Sequence, residues 1–157
     1  MQKITTCLWF DSQAGEAAEF YTTLFPGSSI GKVLRSGDAG PGPAGQVVTV
    51  EFEIEGREFV ALNGGPMFKF TEAVSLVVNC DTQEEVDRYW DALTEGGEES
   101  QCGWLKDKFG LSWQIVPKIF PELLSGPDPD GAQRAMAAML QMKKLDIAAL
   151  QSAYDGA

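Results

Sequence analysis

One pattern occurs twice in this chain, and it restricts the fold more than any composition figure does. A β-prone run ends in aspartate, a helix with an inward-facing aromatic pair follows, glycine stops the helix, and three short strands come next. In the first copy Lys3 to Phe10 alternates as a strand, and Asp11-Ser12 supplies helix N-cap chemistry. The helix behind it sets Ala17, Phe20, Tyr21, Leu24 and Phe25 on one apolar stripe before Pro26-Gly27 ends it. Ser28 to Arg35 reads as a second strand. Gln46 to Ile54 alternates with Val48, Val50, Phe52 and Ile54 on one face, and Arg57 to Asn63 returns across the Glu55-Gly56 turn.

The second copy opens with a strand from Ala73 to Cys80, ending at Asp81. Thr82 and Glu85 have capping-box spacing, so each can satisfy a free backbone N–H at the helix start. The helix carries Val86, Tyr89, Trp90 and Leu93 on its apolar face, and Gly96-Gly97 stops it. Strands follow at Glu98 to Cys102, Trp104 to Lys108 and Leu111 to Val116. The repeat predicts an α+β fold of two strand–helix–three-strand modules, residues 1–66 and 67–117, with a helical tail over 118–157. In that tail Asp128-Pro129 starts a helix whose face holds Ala132, Ala135, Met136, Met139 and Leu140. Asp146 caps a last helix carrying Ile147, Leu150 and Tyr154. The Met-rich face must bury itself, on its own domain or on a second subunit.

The count that limits chemistry most is that of histidine, which is 0. Every mechanism built on an imidazole base or an imidazole–metal bond is excluded within one chain. The net charge of −11 disfavours nucleic acid and anionic membranes as partners. Cys7, Cys80 and Cys102 fit no zinc spacing and no paired disulfide framework. With no signal-like or ~20-residue apolar run at hand, a reducing cytoplasm is the expected location.

Four segments carry a resemblance. They are Leu8-Trp9-Phe10-Asp11, Glu19-Phe20-Tyr21 with Leu24-Phe25-Pro26-Gly27-Ser28, Val78-Asn79-Cys80-Asp81-Thr82, and the long run from Cys102-Gly103-Trp104 through Asp107-Lys108-Phe109-Gly110 to Trp113-Gln114. Together they resemble PhnB-like proteins of the vicinal-oxygen-chelate superfamily, with glyoxalase I, bleomycin-resistance proteins and extradiol dioxygenases. This branch often bears the label 3-demethylubiquinone-9 3-methyltransferase. The resemblance implies paired βαβββ modules, a cleft on each concave sheet face, and a homodimer completing the clefts. In metal-dependent relatives it implies one divalent ion on His, Glu or Gln, at positions that fall here on Thr5, Ala61, Ser75 and Gln114. One glutamine and two hydroxyls are too weak a donor set, so no metal and no cofactor is expected.

The methyltransferase label finds no glycine-rich nucleotide loop between a strand and a helix. Gly40-Pro41-Gly42-Pro43-Ala44-Gly45 matches such a pattern only formally, because a strand follows it, and a mobile loop over the cleft is expected.

Alternation assigns the side chains to faces. With Ile4, Leu8 and Phe10 toward the helices, Thr5, Cys7 and Trp9 turn to the cleft. The same rule sends Phe59, Ala61 and Asn63, then Ser75, Val77 and Asn79, then Ser112 and Gln114, to the concave side. Trp9, Asn63, Ser75, Asn79, Trp104 and Gln114 are the candidate ligand contacts, suited to a neutral or aromatic small molecule. A packed apolar core in place of an open bowl is the competing expectation. Cys102 is the candidate nucleophile, against an inert half-buried thiol, and Asp107 is a candidate base, against a turn or solvated surface ion-pair residue in the Lys106-Asp107-Lys108 run.

Three functions follow: a metal-independent small-molecule binding protein; a metal-dependent lyase, isomerase or dioxygenase of the same superfamily; or a structural or regulatory dimer acting through its Met-rich tail. Whether the chain is an enzyme stays open at this level.

Overall fold

A computed structural model describes residues 2–39 and 42–157. The expected loop over the cleft lies partly outside them, at Gly40 and Pro41; its base is closed by Ser36 N–H donating to the Gln46 carbonyl at 2.7 Å. The chain divides into two compact units, Met1–Phe70 and Thr71–Ala157, and the helical tail belongs to the second.

The first unit runs β1 (Thr6–Phe10), α1 (Ala14–Leu24), β2 (Ser29–Arg35), β3 (Val47–Ile54) and β4 (Arg57–Asn63). The second repeats this as β5 (Ser75–Cys80), α2 (Gln83–Thr94), β6 (Glu98–Glu99), β7 (Trp104–Lys106) and β8 (Ser112–Pro117). The sheets have the same strand order, β1-β4-β3-β2 and β5-β8-β7-β6. In each, the first strand pairs parallel with the last, which the intervening helix permits. The repeat is therefore one of topology as well as pattern.

In the first unit Tyr21 of α1 is fully buried over the sheet, its ring 6.1 Å from Phe52. Phe52 stacks on Phe59 across the β3–β4 hairpin at 5.1 Å. Glu55 and Gly56 both have positive φ, 48° and 81°, the backbone of a two-residue turn whose twist matches the strands. Strand β1 starts at Thr6 rather than Lys3, and Ile4, expected in the core, is 86% exposed.

The helix start also departs from expectation. Neither Asp11 nor Ser12 caps α1; its N-cap is Gln13, without a side-chain cap. Instead Ala14 N–H donates to Asn63 Oδ1 at 2.8 Å, so a residue from the end of β4 does the capping across space.

The second unit follows its sequence pattern closely. Thr82 Oγ1 accepts from Glu85 N–H at 3.2 Å, and Glu85 reaches back to Asp81 N–H at 2.7 Å. Val86, Tyr89, Trp90 and Leu93 are all buried against the sheet. The tail forms α3 (Ile119–Leu124), α4 (Pro129–Met139) and α5 (Ile147–Asp155), the last two capped by Asp128 and Asp146 as the sequence predicts. Their core is Phe120, Leu123, Ala135, Leu145 and Leu150, with Met136, Met139 and Met142 packed against it. Leu140, expected on the buried face, is 55% exposed. Among the described residues no helix is long and apolar enough to cross a membrane.

Candidate functional site

The face of the second sheet turned away from α2 is set by register. Ser75 pairs with Ser112, Val77 with Gln114 and Asn79 with Val116 across β5–β8, while Trp104 and Lys106 of β7 pair with Gln114 and Ser112. Partners in register share a face, so Ser75, Asn79, Trp104 and Gln114 are brought together on one surface. Trp113 and Ile115 point the other way and are buried. Gln114 Nε2 donates to Ser75 Oγ at 3.0 Å. Ser112 is 1% exposed and its hydroxyl has no hydrogen-bond partner among the described residues.

The cation on this face is engaged. Lys106 Nζ pairs with Glu72. The hydrogen bond and the lysine charge hold the Glu72 carboxyl below its ordinary range, and the same contact raises the lysine's pKa. Both side chains are well exposed, so the pair adds little stability, and Glu98, the register partner of Lys106, places a second carboxylate on the same face.

Asp107 is not a surface residue. It is 2% exposed, and its Oδ1 accepts from Phe109 N–H at 2.9 Å and Leu111 N–H at 3.1 Å. Its Oδ2 accepts from Trp113 Nε1–H at 2.8 Å. The carboxylate organises the β7–β8 turn and is not placed as a base on the open face.

The turn before β7 is held by the tail. Cys102 has φ 61°, and its N–H donates to the Met142 carbonyl at 2.8 Å. Gly103 N–H donates to the Lys143 carbonyl at 2.8 Å, and a side chain at Gly103 would lie 2.9 Å from the Ile115 carbonyl and 3.2 Å from Leu145. Gln83 fastens the same segment to α2, donating to the Leu145 carbonyl at 3.1 Å and accepting from Ile147 N–H at 2.8 Å. Cys102 is a free, half-buried thiol.

Two assignments in the first unit need correcting. Phe59, Ala61 and Asn63 face α1, not the open side: Phe59 pairs with Phe52 and Ala61 with Val50, both buried beneath the helix. Asn63 spends its amide on Ala14 N–H and on the Val47 carbonyl, at 2.8 and 3.1 Å, and offers no contact in the cleft. The signal was available. A two-residue turn at Glu55-Gly56 forces Phe59 opposite Phe52, and so onto the same face.

Trp9 does lie on the open face, half-buried. Its indole N–H donates to the Gly65 carbonyl at 2.9 Å, and Phe68 packs edge-on at 4.9 Å. A Cβ at Gly64 would sit 2.4 Å from the ring, so that face of the indole is covered by backbone.

A cavity of about 440 Å³ on the first unit was not foreseen. Thr5, Ser29, Glu51, Glu53, Glu58 and Val60 contribute to its lining. Its acidic rim favours cations, and of the residues that alternation assigned to the cleft Thr5 and Phe59 line it. The two aromatic residues that also line it, Phe52 and Phe59, are buried and stack on each other.

The four positions that the resemblance marks for a metal do not suit one. Ala61 is buried on the helix side, Thr5 precedes β1, and Ser75 and Gln114 bond each other. Among the described residues no three His, Cys, Asp or Glu side chains gather to hold an ion. A neutral amide and hydroxyls do not fit a divalent cation.

The remaining cysteines differ in reactivity. Cys80 is fully buried, and burial, with Glu85 and Asp81 nearby, pushes its thiol up to about 12. Cys7 is exposed, with a thiol raised by partial burial. Alkylation of the native protein at pH 8 is expected to label Cys7 well before Cys80, read by peptide mass. The unfolded thiol ionises near its ordinary value of 9.0 while the folded one keeps its proton to about 12. The unfolded state then binds fewer protons, so stability falls as pH rises through that window.

Two mixed sheets of identical order, each with a helix on one face, define the vicinal-oxygen-chelate fold. Residues 2–116 match the sequence model of the 3-demethylubiquinone-9 3-methyltransferase family. The chain belongs to that family of PhnB-like proteins. It is similar to a PhnB protein from Bacillus cereus at 39% identity and TM-score 0.68, over 74% of this chain and 99% of that one. A Pseudomonas aeruginosa protein matches at 22% identity and TM-score 0.61, over 74% and 98%. A Listeria monocytogenes fosfomycin resistance protein, crystallised with Mn(II) and sulfate, matches at 14% identity and TM-score 0.51, over 74% and 91%, a likeness of fold alone. No curated protein sequence matches.

Proposed function

We propose that this chain binds a small, uncharged, planar molecule on the open face of its second sheet, without a divalent ion. The observation that carries this reading is Trp104 in register with Gln114, beside Ser75, on a face whose lysine is tied to Glu72. A half-exposed indole offers stacking area, and a few neutral polar groups offer orientation, the usual make-up of a ligand pocket. Asn79 lies at the exposed end of the same row. The methyltransferase name of the family does not extend to the reaction here, because the chain has no glycine-rich strand-to-helix loop for such a cofactor. The working form is a cytoplasmic homodimer, which light scattering at twice the chain mass would support.

The test is metal analysis of untagged protein, followed by calorimetric titration with a panel of uncharged and charged aromatics. Substoichiometric metal is expected, together with saturable binding of uncharged members that drops at least about tenfold in Trp104→Ala, the scale of one lost aromatic contact. One tightly held ion per subunit, or binding confined to anions, would overturn the reading.

A further inference from the structure

We infer that this face recognises a cis-amide edge, the adjacent N–H and C=O of a lactam, cyclic imide or similar heterocycle; the inference rests on the binding reading above. It starts from the hydrogen bond between Gln114 and Ser75. These residues stand on parallel neighbouring strands and face the same side, with Gln114 Nε2 donating to Ser75 Oγ at 3.0 Å. That bond uses half of what each group offers. The Gln114 carbonyl oxygen accepts from no group among the described residues, and the Ser75 hydroxyl proton has no acceptor among them.

The pair therefore presents one acceptor and one donor side by side. Turning the glutamine amide over exchanges which residue supplies which, and still leaves one of each. A carboxylate, phosphate or ketone has only acceptors and fills half of this pair. An ammonium has only donors and fills the other half. A cis-amide edge fills both at once.

A second observation points the same way. Ser112 lies opposite Ser75 in register on the same face, is 1% exposed, and has a hydroxyl with no partner among the described residues. A buried hydroxyl left unpaired is costly, and each such group in a folded protein calls for a reason. A carbonyl oxygen has two lone pairs, so the carbonyl of one bound amide can accept from Ser75, and from Ser112 once the side chains enclosing its hydroxyl move aside. Trp104, the register partner of Gln114, supplies a planar surface beside the pair. Lys106, bound to Glu72, leaves no free cation on this face among the described residues to draw an anion instead.

The test titrates the untagged full chain with phthalimide, N-methylphthalimide and phthalate by calorimetry. Phthalimide is expected to bind, its N-methyl derivative at least about tenfold more weakly, and phthalate not measurably, since a buried polar group left unpaired is heavily penalised. Gln114→Leu is expected to remove the discrimination between the two imides. Ser112→Ala is expected to weaken phthalimide severalfold with the melting temperature unchanged or raised. Equal binding of the two imides by the wild-type chain sinks the amide-edge inference while leaving planar uncharged binding intact. A Ser112→Ala variant of full phthalimide affinity removes Ser112 from the site. If none of the probes binds and the wider aromatic panel is also silent, both readings fall.

Discussion

Asp107→Ala is expected to destabilise the second unit by on the order of 4 kcal/mol, the largest single effect of a polar change in this chain. The carboxylate is 2% exposed and accepts from Phe109 N–H, Leu111 N–H and Trp113 Nε1–H. Removing it strands three donors, two of them on the β7–β8 turn. Asp107→Asn separates the contributions. Its remaining carbonyl can still accept from the two turn amides, but an NH₂ group then faces the Trp113 indole N–H, donor against donor. A smaller loss, about 1–3 kcal/mol, is expected there. Urea unfolding followed by tryptophan fluorescence measures both. An alanine variant within 1 kcal/mol of wild type, on that approximate scale of three charged hydrogen bonds, would show that the turn does not depend on the carboxylate.

Leu145→Ala has the second large expected effect, about 3–4 kcal/mol, in the range of leucine truncations in close-packed cores. Leu145 is 1% exposed in the tail core and is the side chain that a substituent at Gly103 would strike. The consequence should reach beyond the tail. Met142 and Lys143 accept from the amides of Cys102 and Gly103, and the Gly103 carbonyl accepts from Ile115 N–H at 2.8 Å, next to Gln114. Hydrogen exchange is expected to speed up at Cys102 and Gly103 together with Leu150. The Asn63-capped start of α1, in the other unit, should exchange as in wild type. Loss of protection in the tail alone would mean that the turn before Trp104 stands without it.

The comparison of Asn63 with Thr82 shows where local reasoning succeeds and fails. Thr82 caps α2 through Glu85, three residues on, so its spacing is visible in the chain. Asn63 caps α1 from 49 residues away, and only the β1–β4 pairing brings it there. Ligand-type residues such as Asn are ambiguous for this reason: the same amide serves a helix end or a cleft. Asp107 is similar. Lys106-Asp107-Lys108 reads as a solvated charge run, and burial of its middle member depends on Trp113 reaching across the turn.

By itself the sequence determined the repeated strand–helix–strand order, the caps of α2, α4 and α5, the apolar face of α2, the family, and the lack of imidazole chemistry. The elements and caps follow from residue periods and spacings within about ten residues, where backbone geometry leaves few choices; the family rests on the resemblance of four segments, and the exclusion on the histidine count. Tertiary structure decided which parity of β4 faces inward, which carboxylate is buried, where the Met-rich tail packs, and that Ser75, Trp104 and Gln114 share one surface. Alternation divides a strand into two faces without naming the inner one. That choice belongs to the cross-strand register and to the helix that covers the sheet, both fixed by contacts far apart in the chain.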